Sequence, residues 1–224
     1  MTAEIGLTGR DRISSDIQSD VAPSKGRFYA FEGIDGAGKS TVAKRVFDTL
    51  SKTSSRQVIL TSEPSDSWLG DCVRRSHEED VSAFTEALLF VADRANHTER
   101  IRRWIESGMI VLSDRYYAST LAYQGAMLKS ILGENAVKWL WAVNEPVIIR
   151  PDLTFLLTIS PETGMKRITG RNERTKFERL EFLREVDKIY RRLAEEDGTI
   201  VVVDASGQID EVVETVLEAI GGNI

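Results

Sequence analysis

The chain has 224 residues, 42% of them hydrophobic and 29% charged, with a net charge of -6 and a pI of about 5.2. That size and apolar content suit one globular domain with a substantial core, and the acidic balance gives no case for a general nucleic-acid binder, which carries a basic excess. A single cysteine, Cys72, excludes an intrachain disulfide, and no apolar run approaches the ~20 residues of a membrane span, so a cytoplasmic protein with neither nucleic-acid nor membrane partners is expected.

Residues 1–25 are polar and lack the apolar core of a secretion signal; they read as a flexible extension ahead of one domain at 26–224. Arg27 to Glu32 (RFYAFE) predicts a strand. Phe31 to Thr41 (FEGIDGAGKST) follows, and within it Gly33-Ile34-Asp35-Gly36-Ala37-Gly38-Lys39-Ser40 satisfies G-x-x-x-x-G-K-[ST]. Small residues at this spacing let backbone N–H groups converge on phosphate oxygens. A helix opening near Lys39 adds its positive end. The Lys39 ammonium can reach the outer phosphates and the Ser40 hydroxyl can take magnesium. Because the octapeptide leaves a strand and enters a helix, it reads as a nucleotide-binding loop rather than an accidental turn.

The helix runs to about Leu50, and Gln57 to Thr61 (QVILT) is the next strand. This βαβ unit implies a parallel sheet. Residues 63–79, with Pro64 and Gly70, read as a polar connection. A long helix is expected from about Val81 to Ser107, ended by Gly108. On it Phe90 and Arg94, four apart, share a face, an aromatic plate beside an arginine that suits a planar base. Met109 to Ser113 (MIVLS) predicts a buried strand. Asp114 and Arg115 come directly after it, where Asp114 can orient magnesium and Arg115 can fork onto an acceptor phosphate. Asp152 to Ser160 is a fourth strand, with Pro161 opening a helix. Residues 170–176 are a charged break, followed by a helix from about Phe177 to Glu196, a strand at Thr199 to Asp204 and a closing helix at 209–220. The alternation predicts an α/β sheet covered on both faces, with ligands beyond the carboxyl ends of the strands. His77 and His97 are expected at the surface, and Arg179, Arg184, Arg191 and Arg192 on a solvated helix face.

Together these residues resemble the thymidylate kinase family, whose members transfer the γ-phosphoryl of ATP to deoxythymidine monophosphate (dTMP). The resemblance spans about 27–220. It is carried by the phosphate loop with Asp35, Glu63-Pro64, LLFVADR at 88–94, DRYYASTLAYQG at 114–125, RPDLTFLL at 150–157 and an arginine-rich segment after Lys166. It implies a P-loop kinase fold with a five-stranded parallel sheet, a short lid at about 167–178, Mg2+ at Ser40 and Asp114, and a homodimer formed through the long helix.

By position, the resemblance implies that Gly33 to Thr41 hold ATP and that Asp204 and Ala205 lie in the loop passing the adenine. Phe90 would stack on thymine and Arg94 would hydrogen-bond it near the acceptor phosphate. Arg115 would bind that phosphate, Ser119 and Thr120 would lie at the base edge, and Tyr123 would pack under the deoxyribose beside Gln124. Glu63 and Pro64 complete the acceptor set, and Asp35 would approach the sugar or the acceptor phosphate. Some members carry a transition-state arginine in the phosphate loop; here that position is Gly36, so Arg171 or Arg174, with Arg167 behind them, would supply it. Many members also carry arginine where this chain has Ser62, which weakens the local positive field unless Arg74 or Arg75 compensates. Two rivals remain from sequence. One is a deoxynucleoside kinase using Glu63 as general base; the other is a weakly active nucleotide-binding regulator. A GTPase-type switch would need an N-K-x-D motif that the chain lacks.

Overall fold

The computed structural model describes residues 25–168 and 173–222, and for 173–178 the backbone alone. The expected extension up to residue 24, Arg171 and the side chain of Arg174 lie outside the described residues.

Among the described residues five strands, β1 (Arg27–Glu32), β2 (Val58–Ser62), β3 (Ile110–Asp114), β4 (Leu153–Thr158) and β5 (Ile200–Asp204), form one sheet in the order β2-β3-β1-β4-β5. Every pairing is parallel. β1 lies in the middle because its residues are apolar on both sides: Phe28, Tyr29, Ala30 and Phe31 are all buried, as a strand covered on two faces requires. The register brings Phe31 beside Asp114 and Ser62 beside Asp114, so the carboxyl ends of β1, β2 and β3 finish together.

Among the described residues eight α-helices cover the sheet. α1 (Lys39–Thr53) and α8 (Ile209–Gly221) pack on each other on one face. The other face carries α3 (Ala83–Glu106), α4 (Tyr117–Leu132) and α7 (Glu173–Glu196). Outside them lie α2 (Trp68–Ser76) on α3, α5 (Asn135–Asn144) on α4 and α6 (Pro161–Arg167) on α7. Serine caps mark the starts of α2, α3 and α6: Ser67, Ser82 and Ser160 accept backbone N–H groups of the first turn. Among the described residues no helix is long and apolar enough to cross a membrane.

The expected connection at 63–79 is corrected: most of it is helix α2. Pro64 and Gly70 are breakers in isolation, but Pro64 precedes the Ser67 cap. Gly70 is glycine for another reason, since a Cβ there would meet the Ser65 carbonyl oxygen at 2.0 Å. Helix α2 is thus pressed onto the loop after Glu63. The same loop is tied to α3 by Asp93, whose carboxylate accepts from Ser65 N at 2.6 Å and Ser65 Oγ at 2.5 Å.

Candidate active site

The loop between β1 and α1 turns tightly. Gly36 has φ 83° and its missing Cβ would lie 2.6 Å from the Gly164 carbonyl oxygen, so the loop backbone closes against α6 in a conformation that favours glycine. Gly38, at φ 93°, stands at the start of α1 with no side-chain cap, which leaves the first N–H groups of that helix for an anion. Lys39 is buried and its Nζ donates to the Ile34 carbonyl oxygen at 2.9 Å. Burial, with the Arg115 guanidinium behind it, pulls the Lys39 ammonium down to about 8, against the opposing pull of Asp35, Asp114 and Glu32. Ser40 and Thr41 are exposed beside it. Arg167, from the end of α6, donates to the Gly36 carbonyl oxygen at 2.9 Å. At the far edge of the sheet Ala205 is buried, its N–H donating to the Thr158 carbonyl oxygen, and Asp204 accepts from Ser206 N.

Arg115, just past β3, is the one non-glycine residue with positive φ among those described, at 71°. Such a backbone costs about 1–2 kcal/mol and persists only where its surroundings hold it. Here its N–H donates to Phe31 O at 2.9 Å and its carbonyl accepts from Ser113 Oγ at 2.7 Å. The turn sends the guanidinium over the Tyr123 ring, 5.2 Å from its centroid, onto the Asp35 carboxylate and to Ser119 Oγ at 3.2 Å. Burial pushes the Asp35 carboxyl up, but Arg115 and Lys39 overcome this and hold it below the usual carboxylate range. Tyr123 OH accepts from Asp35 N at 2.8 Å. Phosphate loop, Asp35, Tyr123 and Arg115 are therefore one connected unit.

Glu32, at the end of β1, completes the support and was not singled out from sequence. Its only signal there is an acid closing an otherwise apolar buried strand. Its Oε1 accepts from Tyr116 N at 2.8 Å and Ser119 N at 3.1 Å, and its Oε2 from Ser119 Oγ and Tyr190 OH. Tyr116 at the N-cap of α4 has no side-chain cap of its own, so this carboxylate caps the helix from another strand. Burial holds the Glu32 carboxyl above the usual carboxylate range, and these donors and Arg115 offset only part of that rise.

Beside this unit opens a cavity of about 420 Å³. Of the expected acceptor residues, Pro64, Phe90, Arg115, Ser119, Tyr123 and Gln124 line it, together with Asp35. Glu63, Arg94 and Thr120 do not. They lie behind its wall in a buried network: Arg94 is 1% exposed and donates to Glu63 Oε2 through Nε at 2.9 Å and Nη2 at 2.6 Å, to Asn144 Oδ1 at 2.6 Å and to Thr120 Oγ1 at 2.9 Å. His97 corrects another expectation. It is fully buried, Nδ1 3.1 Å from Glu63 Oε1 and Nε2 2.8 Å from Thr61 Oγ1, because one helical turn past Arg94 it shares that inward face of α3. His77 is half exposed, as expected, yet edges the cavity.

Arg179 is solvated as expected, with an addition. It is exposed but lines the cavity, on the same face of α7 as Phe182 and Leu183, three and four residues on. Arg184, Arg191 and Arg192 do lie on a solvated face, paired with Glu162, Asp187 and Glu196. Arg74 and Arg75 are engaged elsewhere, by Ser65 O with Asp71 and by Glu79, so neither turns toward the cavity beside Ser62. Glu86, Met127, Ile168 and Phe182 complete walls that the sequence reading did not foresee.

A phosphate loop at the carboxyl edge of a five-stranded parallel sheet, with an adjoining cavity, defines a P-loop kinase fold. The family model described as thymidylate kinase matches residues 31–216. Similar proteins include a probable thymidylate kinase of Methanosarcina barkeri, 41% identical over 206 residues, covering 89% of this chain and all of that protein. Another, of Methanococcoides burtonii, is 39% identical over 198 residues, covering 88% of this chain and 96% of its own. A third, of Archaeoglobus fulgidus, is 40% identical over 192 residues, covering 85% and 93%. The chain belongs to the thymidylate kinase family.

Proposed function

We propose that the protein transfers the γ-phosphoryl group of ATP to dTMP, giving dTDP and ADP. The single observation that carries this reading is the cavity beside the phosphate loop, with Phe90 on one wall and Arg115 with Asp35 at the phosphate-loop end. It offers a flat apolar plate for a base and a guanidinium for a phosphate. The transfer is in line, without a covalent enzyme intermediate. Lys39 and the first N–H groups of α1 bind the departing phosphates, Arg115 holds the acceptor phosphate against its own charge repulsion, and Tyr123 packs under the sugar. Positioning and electrostatics carry the rate. Arg171 or Arg174 is read as the lid cation that neutralises the moving group, and lid closure keeps water from intercepting it.

Asp114 supports a magnesium site. Its Oδ1 is buried without a hydrogen-bond partner, and its charge is felt at Lys39; a carboxylate oxygen left unpaired beside the phosphate loop is the donor such a cation needs. With the Ser40 hydroxyl it would hold Mg2+, which when bound neutralises phosphate charge. Ser62 removes one cation of the common pattern, and we read Arg179 as its replacement, since it brings a second arginine to the cavity. Arg179→Ala should raise KM for dTMP about tenfold while kcat changes little; a KM unchanged within twofold would sink this role. Homodimerisation is supported by the exposed Trp68 and Leu88 on the packed pair α2 and α3, and a cytoplasmic setting by the lone Cys72.

The rival nucleoside-kinase reading needs Glu63 free to take a hydroxyl proton. Its carboxylate is instead 4% exposed and bound to Arg94 and His97. The deciding assay couples ADP release to ATP and magnesium with dTMP, dUMP, UMP, CMP and thymidine offered in parallel. Fast release with dTMP, and dUMP second, is expected. Release with thymidine but with no monophosphate would overturn the proposal.

A further inference from the structure

Glu86 lies in the first turn of α3, four residues before Phe90, and both line the cavity. An acid there is favoured by the helix N-terminus, and the spacing puts carboxylate and aromatic plate on one face. Gln124 of α4, which also lines the cavity, donates from Nε2 to Glu86 Oε1 at 3.0 Å. Gln124 is 3% exposed and Glu86 9% exposed, so water cannot readily replace this bond. His77 Nδ1 flanks the same carboxylate oxygen at 3.9 Å.

An ionised carboxylate only accepts. Whatever faces Glu86 on the Gln124 amide must be its NH2 group. With the nitrogen held at Glu86, Oε1 is the one acceptor the amide has left, on a residue that lines the cavity. We propose that Glu86 is a positioning residue that locks the Gln124 amide with its carbonyl oxygen toward the acceptor base, and so selects a pyrimidine carrying a hydrogen on N3 over one with a bare N3.

The inference deepens the reading of this cavity as the dTMP site and depends on it. Thymine and uracil present an N3–H between two carbonyls, which a carbonyl oxygen accepts. Cytosine presents a lone pair at N3, which would face the lone pairs of Oε1 with both groups out of water. A buried polar group left without a partner is costly, and sites built to hydrogen-bond one analogue reject another strongly. Were the Gln124 amide free to turn, its NH2 group would serve cytosine equally well. The discrimination therefore lives in Glu86, which does not itself have to touch the base.

The test uses the full chain and two monophosphates, dTMP and dCMP. kcat/KM is measured with ATP and magnesium, and dissociation constants of both monophosphates by calorimetry without ATP, for wild type, Glu86→Gln and Gln124→Leu. An amide at position 86 both donates and accepts, so it no longer dictates which way Gln124 turns. The preference for dTMP over dCMP should fall about tenfold in Glu86→Gln, in turnover and in binding alike, with the thermal midpoint little changed. Gln124→Leu should lose the preference as well. Equal losses on both nucleotides, or an unchanged preference in Glu86→Gln, would overturn the positioning role. Should Glu86→Gln not fold, a preserved preference in Gln124→Leu would overturn it too. Wild-type protein that turns over no dTMP defeats the site reading itself, whereas brisk dTMP turnover with an unmoved preference defeats only this inference.

Discussion

Lys39→Met is expected to lower ADP release with dTMP by about 10³-fold or more while leaving the fold standing. Methionine keeps most of the lysine's length and fills the same buried slot. It removes a cation whose one hydrogen bond is to a loop carbonyl, Ile34 O, so little of the apo structure depends on the charge. A protein that keeps a tenth of wild-type turnover would show that Lys39 does not hold the transferring phosphates. The same residue yields a second readout that does not need turnover. Its ammonium is pulled down to about 8 by burial and by Arg115. A polyphosphate in contact favours the charged form and so raises that value. ATP binding at pH 8 should therefore take up about half a proton, and the uptake should vanish about two pH units lower, where the lysine is already charged. The buffer dependence of the calorimetric binding enthalpy measures this. Lys39→Met should show none of that component; an unchanged uptake in the variant would assign the proton to another group.

Arg94→Met should cost about 3–5 kcal/mol of folding stability, because it leaves a buried carboxylate without its cation. Arg94 is the largest fully buried side chain among the described residues and ties α3 to Glu63, to Thr120 of α4 and to Asn144 of α5. Chemical denaturation of wild type, Arg94→Met and the double variant with Glu63→Leu measures it. The double variant should recover much of the loss, since both halves of the ion pair are then apolar. This prediction separates two roles for the same residue. An arginine whose main task is to hold a base would, on substitution, raise KM with the midpoint unmoved. A large loss of stability marks the buried network behind the cavity as what sets the angle of α3, and with it the position of Phe90.

The two variants probe two depths of one site, and these depths differ in how readable they were. The phosphate loop is a local object: Gly33 to Ser40 carry the spacing, the small residues and the following helix in one contiguous stretch, and nothing distant is needed to see what it binds. The strands were equally legible, because each buried strand is a short apolar run whose boundaries the structure moves by only a residue or two. Helix α2 was missed because two residues with a reputation as breakers were read without their partners; only the approach of Ser65 explains why Gly70 must lack a side chain. The burial of His97 and the place of Arg179 at the cavity were both unforeseen for one reason. A polar residue on a helix has no sequence mark for the face it takes, and the face is set by what packs opposite. Glu63 faces His97, and the cavity lies under Arg179.

By itself the sequence determined the class of chemistry. Phosphate recognition needs only backbone N–H groups, a lysine and a hydroxyl in a fixed local order, and local order is what a sequence states directly. The tertiary structure alone decided which charges meet. Arg115 finds Asp35 80 residues away, Glu32 caps a helix 84 residues on, and Glu86 accepts from Gln124 across 38 residues. These pairings shape the cavity beside the phosphate loop, and they follow from the crossing of strands and helices in space, because electrostatic and hydrogen-bond energies depend on distance and burial and neither is written in the order of the residues.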